Sequence, residues 1–145
     1  MAQKPKSIGE CTENKTDSKI LLTENRMKMT FLNRERKVVK VVTIDNCVVT
    51  EGIRCDYLVI NEKDNEFFVE LKGTDIRHAC DQLTASIKQL STNPKQKPKH
   101  SFVVCSRFSP AINTIVQNQK VLFKSRFNCK LIIKRQQCEF ELQSY

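Results

Sequence analysis

The 145-residue chain has no tryptophan, only three glycines and two histidines, and no run of about 18 apolar residues. Without such a run no membrane-spanning helix is expected, and without an apolar leader no signal peptide is expected. Two histidines and no C-x-x-C pair argue against a zinc site. The length predicts one compact, soluble domain that buries its own core and makes no membrane contact.

The seven cysteines are an odd number. Cys47, Cys80 and Cys105 lie in apolar runs, where free cysteine behaves as a small buried hydrophobic residue. Reduced thiols are typical of the cytoplasm. We therefore expect free cysteines and a cytoplasmic location.

The net charge of +9, from 25 Lys and Arg against 16 Asp and Glu, favours a polyanionic partner, most simply nucleic acid. A solvated basic surface is the alternative explanation. The densest basic patch comprises Lys95, Lys97, Lys99 and His100. Phosphate contact by the three lysines is one interpretation of this patch, and a plain solvated loop is the other.

Hydrophobic periodicity predicts an α/β fold with a mixed central sheet flanked by helices. Residues 1–18 are polar and are expected to be flexible, which leaves 19–145 as a single domain. The predicted elements are, in order, a short helix (20–32), two strands (38–44 and 47–50), a hairpin (57–60 with 67–71), a helix (76–90) capped by Thr74 or Asp75, a buried strand with parallel or antiparallel neighbours (102–105), a helix from Pro110 to about 124, and a closing hairpin (131–133 with 140–142).

Three charged residues, Asp56, Glu70 and Lys72, interrupt the two apolar runs of the predicted hairpin. Burying an unpaired charge is costly, so these charges need an ion, a partner or a substrate. A three-residue loop at 62–64 sets Asp56 directly opposite Glu70, with Cβ atoms about 4.5–5.5 Å apart. Two carboxylates at that distance repel each other, and one tends to hold a proton unless a cation binds between them.

A hard divalent cation such as Mg²⁺ takes oxygen ligands and keeps several waters, so two carboxylates suffice to hold it. Such an ion polarises a phosphodiester and lowers the pKa of a bound water. Lys72, on the same strand face, can reach the attacking water or the phosphate charge. These residues predict metal-assisted phosphodiester hydrolysis. The alternative is a structural salt bridge between Glu70 and Lys72 at a sheet edge.

E-x-K triplets also occur at 13–15 and 35–37, but only Glu70-Leu71-Lys72 lies in a buried-looking strand. The stretch CDYL…FVELKG, followed by a helix, resembles the PD-(D/E)xK nuclease superfamily, also called the restriction-endonuclease-like fold. The resemblance covers about residues 38–105. It implies cleavage of DNA, or less often RNA, with Mg²⁺ or Mn²⁺ as cofactor. Asp56, Glu70 and the backbone carbonyl of Leu71 would hold the metal.

The chain departs from the superfamily pattern in two places. Cys55, rather than proline, precedes Asp56. Many members also carry a glutamate on the first helix, for which Glu24 and Glu35 are both candidates. Asp45 could replace that glutamate, or it could be a plain turn residue.

Gln82 resembles a glutamine that some members carry on the helix after E-x-K, and a solvent-exposed side chain is the alternative. Neither His78 nor His100 has the setting of a general base. The sequence thus predicts a metal-dependent nuclease, and the alternatives are a non-catalytic nucleic-acid-binding module or a protein-interaction module on the same fold. Because a domain of this size offers little surface for base readout, sequence-specific cutting would need a homodimer or a partner subunit.

Overall fold

The computed structural model describes residues 4–71, 73–107 and 112–144. They form three layers, in which two helices, a six-stranded mixed sheet and a three-stranded sheet lie one on another. The strands are β1 (Thr12–Lys15), β2 (Lys19–Glu24), β3 (Met27–Leu32), β4 (Val39–Thr43), β5 (Tyr57–Ile60), β6 (Glu66–Glu70), β7 (Lys99–Cys105), β8 (Cys129–Arg135) and β9 (Gln137–Glu141), and the helices are α1 (Ile76–Leu90) and α2 (Asn113–Phe127).

The main sheet has the order β1-β4-β5-β6-β7-β8. Neighbouring strands run antiparallel from β1 to β6, and β6, β7 and β8 run parallel. The predicted α/β class with a mixed sheet is confirmed, and the strand predicted at 102–105 is a buried part of β7 between two parallel neighbours. The C-terminal ends of β6, β7 and β8 share one edge of the sheet, which we call the carboxyl edge.

Both helices pack on the same face of the main sheet, where Leu83 and Ile87 of α1 and Phe123 of α2 belong to one hydrophobic core. The apolar spacing that predicted a helix at 76–90 is confirmed, and Asp75 caps it by accepting a hydrogen bond from the His78 N–H (3.0 Å). The expectation of a sheet flanked by helices is corrected, because the second sheet covers the other face. Within the described residues, neither helix is long and apolar enough to cross a membrane.

The second sheet, of order β2-β3-β9, replaces the short helix predicted at 20–32. Ile20 and Leu22 of β2 and Met29 and Phe31 of β3 alternate with exposed or half-exposed residues and face the main sheet. Asn25 has φ 55° in the tight turn between the strands, a conformation that asparagine tolerates better than most residues. The period of two, broken by this turn, explains the poor helical periodicity of the segment.

The closing hairpin predicted at the C-terminus is also wrong. The chain bends at Gln136, which has φ 65°, and the Gln136 N–H donates to the Cys105 carbonyl (2.8 Å). Beyond this residue β9 leaves the main sheet and pairs in parallel with β3. A hairpin and a sheet-switching turn have the same local sequence signals, so only the partner strand distinguishes them.

The first 18 residues contain more structure than their polar composition predicts. A 3₁₀ turn at Gly9–Cys11 leads into β1, which forms an edge of the main sheet beside β4. Cys11 and Cys47 form a disulfide, so the expectation of free thiols is wrong for this pair, and Cys80 and Cys105 are buried free cysteines as expected. The cytoplasmic location, which rested on reduced thiols, stays a prediction.

The remaining elements follow the sequence closely. The strand predicted at 38–44 contains β4, whereas residues 47–50 form turns with a single bridge between Asp45 and Val49 instead of a second strand. Helix α2 ends at Phe127, three residues beyond the predicted end. Pro110, the predicted start of that helix, lies outside the described residues.

Candidate active site

The β5–β6 hairpin has the register that places Asp56 opposite Glu70. Tyr57 pairs with Val69 and Ile60 pairs with Glu66, and the same register continues by one residue to Asp56 and Glu70. The Asp56 N–H donates to the Val69 carbonyl (3.1 Å), which extends the ladder to that position. The predicted three-residue loop is therefore confirmed, since register and loop length determine each other in a hairpin.

Asp56 is held firmly at the point where three strands meet. It is 7% exposed, and its Oδ2 accepts a hydrogen bond from the Leu71 N–H (2.8 Å). Its backbone carbonyl accepts from the Ile44 N–H (2.9 Å) just beyond β4. Burial raises the pKa of Asp56, and the Leu71 N–H opposes that shift because it stabilises the charged form.

Glu70, the last residue of β6, is 1% exposed, and its Oε1 has no hydrogen-bond partner among the described residues. Burial raises the pKa of Glu70 to about 9, and the neighbouring Asp56 adds to the shift through its charge and its hydrogen bond. At neutral pH the pair of carboxyl groups therefore holds a proton.

Two more acids complete a pocket of about 300 Å³ at the carboxyl edge. Glu24, the last residue of β2, reaches the pocket from the second sheet and hydrogen-bonds with Asp56. Asp45 follows β4 and lines the same pocket, and Glu24, Asp45 and Asp56 also line a smaller pocket beside it. Glu35, the other candidate for the extra glutamate, is exposed in the turn after β3 and does not line this pocket. Glu24 was hard to choose from sequence because its segment was taken for a helix.

The wall beside Asp45 is built by Arg54, whose Nη2 lies 2.9 Å from Asp45 Oδ1. Gln82, half-buried on α1, donates from Nε2 to the Arg54 carbonyl (3.1 Å) and also lines the pocket. Gln82 thus lies in the pocket wall, where it fixes the loop that carries Arg54, and its functional role stays a prediction.

His78, which the sequence does not predict as a site residue, lines the same pocket from the first turn of α1. It is exposed, and Glu70 and Gln82 are its neighbours in a second pocket. The signal that could have found it is the four-residue spacing of His78 and Gln82, because residues at i and i+4 share one helix face.

Two sequence-predicted site features remain predictions. Lys72 lies outside the described residues. Leu71 is buried and donates its N–H to Asp56. This hydrogen bond does not involve the Leu71 carbonyl, whose role as a metal ligand stays a prediction.

The structure separates the lysine-rich loop from the acidic pocket. Lys99 pairs with Glu66 and Val103 pairs with Glu70, so the start of β7 lies about 13 Å down the strands from Glu70. Lys99 is 2% exposed, and its ammonium donates to the carbonyls of Lys97, Pro94 (3.1 Å) and Phe127 (2.7 Å). The predicted phosphate contact by Lys99 is therefore corrected, because its ammonium is buried and donates to backbone carbonyls of the loop before β7 and to the Phe127 carbonyl at the end of α2.

Lys95 and Lys97 lie in the same loop at the far edge. Lys95 is exposed, and Lys97 forms an ion pair with the buried Glu66 (3.8 Å). Neither residue lines the acidic pocket. Their predicted contact with nucleic acid would have to occur on a different part of the surface.

Within the described residues, no group of three or more Cys, His, Asp or Glu side chains is arranged to hold a metal ion. The chemistry of the two central side chains nevertheless suits a hard cation, because Asp56 and Glu70 offer oxygen atoms and the buried Glu70 Oε1 is unsatisfied. A cation would take the place of the proton that the Asp56–Glu70 pair now shares.

Comparison of the chain with protein-family models, curated proteins and solved structures finds no match in any of the three. The restriction-endonuclease-like core stays a prediction from the residues and their arrangement.

Proposed function

We propose that this protein is a metal-dependent nuclease that hydrolyses phosphodiester bonds, with DNA preferred to RNA as substrate and Mg²⁺ or Mn²⁺ as cofactor. The observation that carries this proposal is the buried, unsatisfied Glu70 Oε1 beside Asp56 in an open acidic pocket. An unpaired buried oxygen costs stability, and a site that binds a cation there recovers that cost on binding.

Asp56 and Glu70 would hold the metal, and Glu24 would bind it directly or through water. When bound, the ion would polarise the phosphodiester and lower the pKa of a bound water. Asp56 keeps its orientation through the Leu71 N–H, and Gln82 with Arg54 fixes the pocket wall. Lys72 follows this site in sequence and supplies a positive charge to the phosphate or the attacking water.

One observation favours a non-catalytic nucleic-acid-binding module as the second candidate. Asp56 and Glu70 are hydrogen-bonded to each other, and Arg54 neutralises Asp45. Such a cluster can stabilise the sheet edge without any ion.

Cleavage of labelled single-stranded and double-stranded DNA and of RNA, with Mg²⁺ or Mn²⁺ and with EDTA, tests the proposal. Asp56→Asn and Glu70→Gln should each lower the rate by more than about 100-fold, because the lost metal chemistry is worth several kcal/mol. Glu62→Gln removes an exposed carboxylate at the other end of the same hairpin and should cleave like the wild type. Equal cleavage by wild type and both pocket variants would refute the nuclease proposal.

A further inference from the structure

The basic residues are strongly segregated along the chain. Residues 82–138 contain eleven Lys and Arg and no Asp or Glu, whereas the rest of the chain is close to neutral. This acid-free stretch supplies β7, α2 and β8. A polyanion would therefore approach the molecule from the β7–β8 side of the main sheet.

Three of these cations lie at or just after the ends of strands at the carboxyl edge, where Glu70 also lies. Arg107 comes two residues after β7, and Lys134 and Arg135 end β8. All three side chains are exposed, and no ion pair among the described residues involves them. By contrast, Arg54 on the other side of the acidic pocket is already paired with Asp45.

The second sheet adds a cation at the same place. Lys28 and Lys134 line one pocket of about 410 Å³, together with the carboxylate of Glu139. The exposed Arg26 lies in the adjoining turn, two residues from Glu24 of the acidic pocket. Lys28 and Lys134 thus lie at the junction of the two sheets, whereas Arg135, the next residue of β8, lies on the helix face of the main sheet, as Glu70 does.

The spacing of these charges matches a nucleic-acid strand. In the main sheet Glu70 of β6 pairs with Val103 of β7, which pairs with Ile133 of β8. Arg135 therefore lies two strands away from Glu70 and two residues beyond it in the strand direction. That offset places its Cα about 12 Å from the Cα of Glu70. A nucleic-acid strand advances about 3.4 Å per nucleotide along a duplex, so the offset corresponds to three or four nucleotides.

We propose that Lys28, Lys134 and Arg135 bind the phosphates of a nucleic-acid strand that crosses the carboxyl edge, with Arg135 three to four nucleotides from the phosphate at the acidic pocket. This inference deepens the proposed function, on which it rests for the position of the cleaved bond. The pocket acids repel phosphates, and cations at this distance offset that repulsion without entering the site.

Fluorescence anisotropy of wild type and variants tests the inference in EDTA, where cleavage is not required. The probes are labelled 24-nucleotide single-stranded DNA, the matching duplex and RNA of the same sequence, each titrated at several salt concentrations. Lys134→Gln with Arg135→Gln should weaken binding about fivefold or more and lower the slope of log K against log salt by about 1 to 2. Glu139→Gln should strengthen binding, because it removes a carboxylate from the Lys28–Lys134 pocket.

The matched control is Arg36→Gln with Lys37→Gln. These two exposed neighbours lie between β3 and β4, away from the carboxyl edge, and their loss changes the net charge equally. They should change affinity less than twofold. Equal weakening by both double variants, an unchanged affinity in Lys134→Gln with Arg135→Gln, or no binding by wild type at low salt would each overturn the inference. Cleavage assays separate the two proposals. If Lys134→Gln with Arg135→Gln cleaves and binds as the wild type does, only the proposed phosphate contacts are refuted. If the wild type binds nucleic acid but does not cleave it with metal, only the proposed nuclease function is refuted.

Discussion

Replacing Glu70 by glutamine should make the protein more stable at alkaline pH. The pKa of Glu70 is raised to about 9 by burial and by the adjacent Asp56, whereas a glutamate in an unfolded chain titrates near 4.5. The folded state therefore holds a proton that the unfolded state has lost anywhere between these values. Stability from this proton is full below about pH 4.5 and disappears as the pH rises toward 9.

The size of the effect follows from the linkage relation. One proton bound only by the folded state changes the free energy of unfolding by about 1.4 kcal/mol per pH unit. Between pH 5.5 and pH 8 the wild type should lose about 3 kcal/mol that Glu70→Gln keeps. Below about pH 4.5 the two proteins should be nearly equal, because a glutamine amide can donate to Asp56 as the protonated carboxyl does.

Urea unfolding followed by circular dichroism at a series of pH values measures this difference, with Glu62→Gln as the exposed control. Added Mn²⁺ should restore wild-type stability, and more at pH 8 than at pH 6, because a metal ligand must be deprotonated. Parallel pH profiles for wild type and Glu70→Gln would refute the reasoning about a shared proton. A Mn²⁺ effect of equal size in Glu70→Gln would refute Glu70 as a metal ligand.

Two other predictions concern stability alone. Lys99→Met should lower the free energy of unfolding by about 3 kcal/mol, because buried carbonyls lose their hydrogen-bond donor. The control Lys95→Met, at an exposed position, should change it by less than about 0.5 kcal/mol. Equal urea midpoints for the two variants would contradict a stabilising role of the buried Lys99. Replacing Cys11 and Cys47 together by serine should lower the free energy of unfolding by up to about 4 kcal/mol, because the disulfide closes a loop across a sequence separation of 36. An equal urea midpoint of the wild type with and without reductant would show that the disulfide does not stabilise the fold.

Local sequence determined the hairpin and the first helix. The loop at 62–64 sets the pairing of β5 with β6, so the juxtaposition of Asp56 and Glu70 follows from counting residues. The apolar spacing from Ile76 to Leu90 and the cap at Asp75 likewise define α1 without reference to other elements. These features depend on interactions between residues close in sequence, which is why the sequence alone predicts them.

Only the tertiary structure decided what surrounds that pair. Glu24 reaches the pocket because β2 belongs to a second sheet that packs on the first, a long-range arrangement that its own segment does not encode. Burial of Lys99 depends on the carbonyl at the end of α2, 28 residues away. The sequence by itself thus determined that two carboxylates face each other in the hairpin. Which other charged groups join them, and which are buried elsewhere, depends on the pairing of distant strands and on the desolvation that this pairing causes.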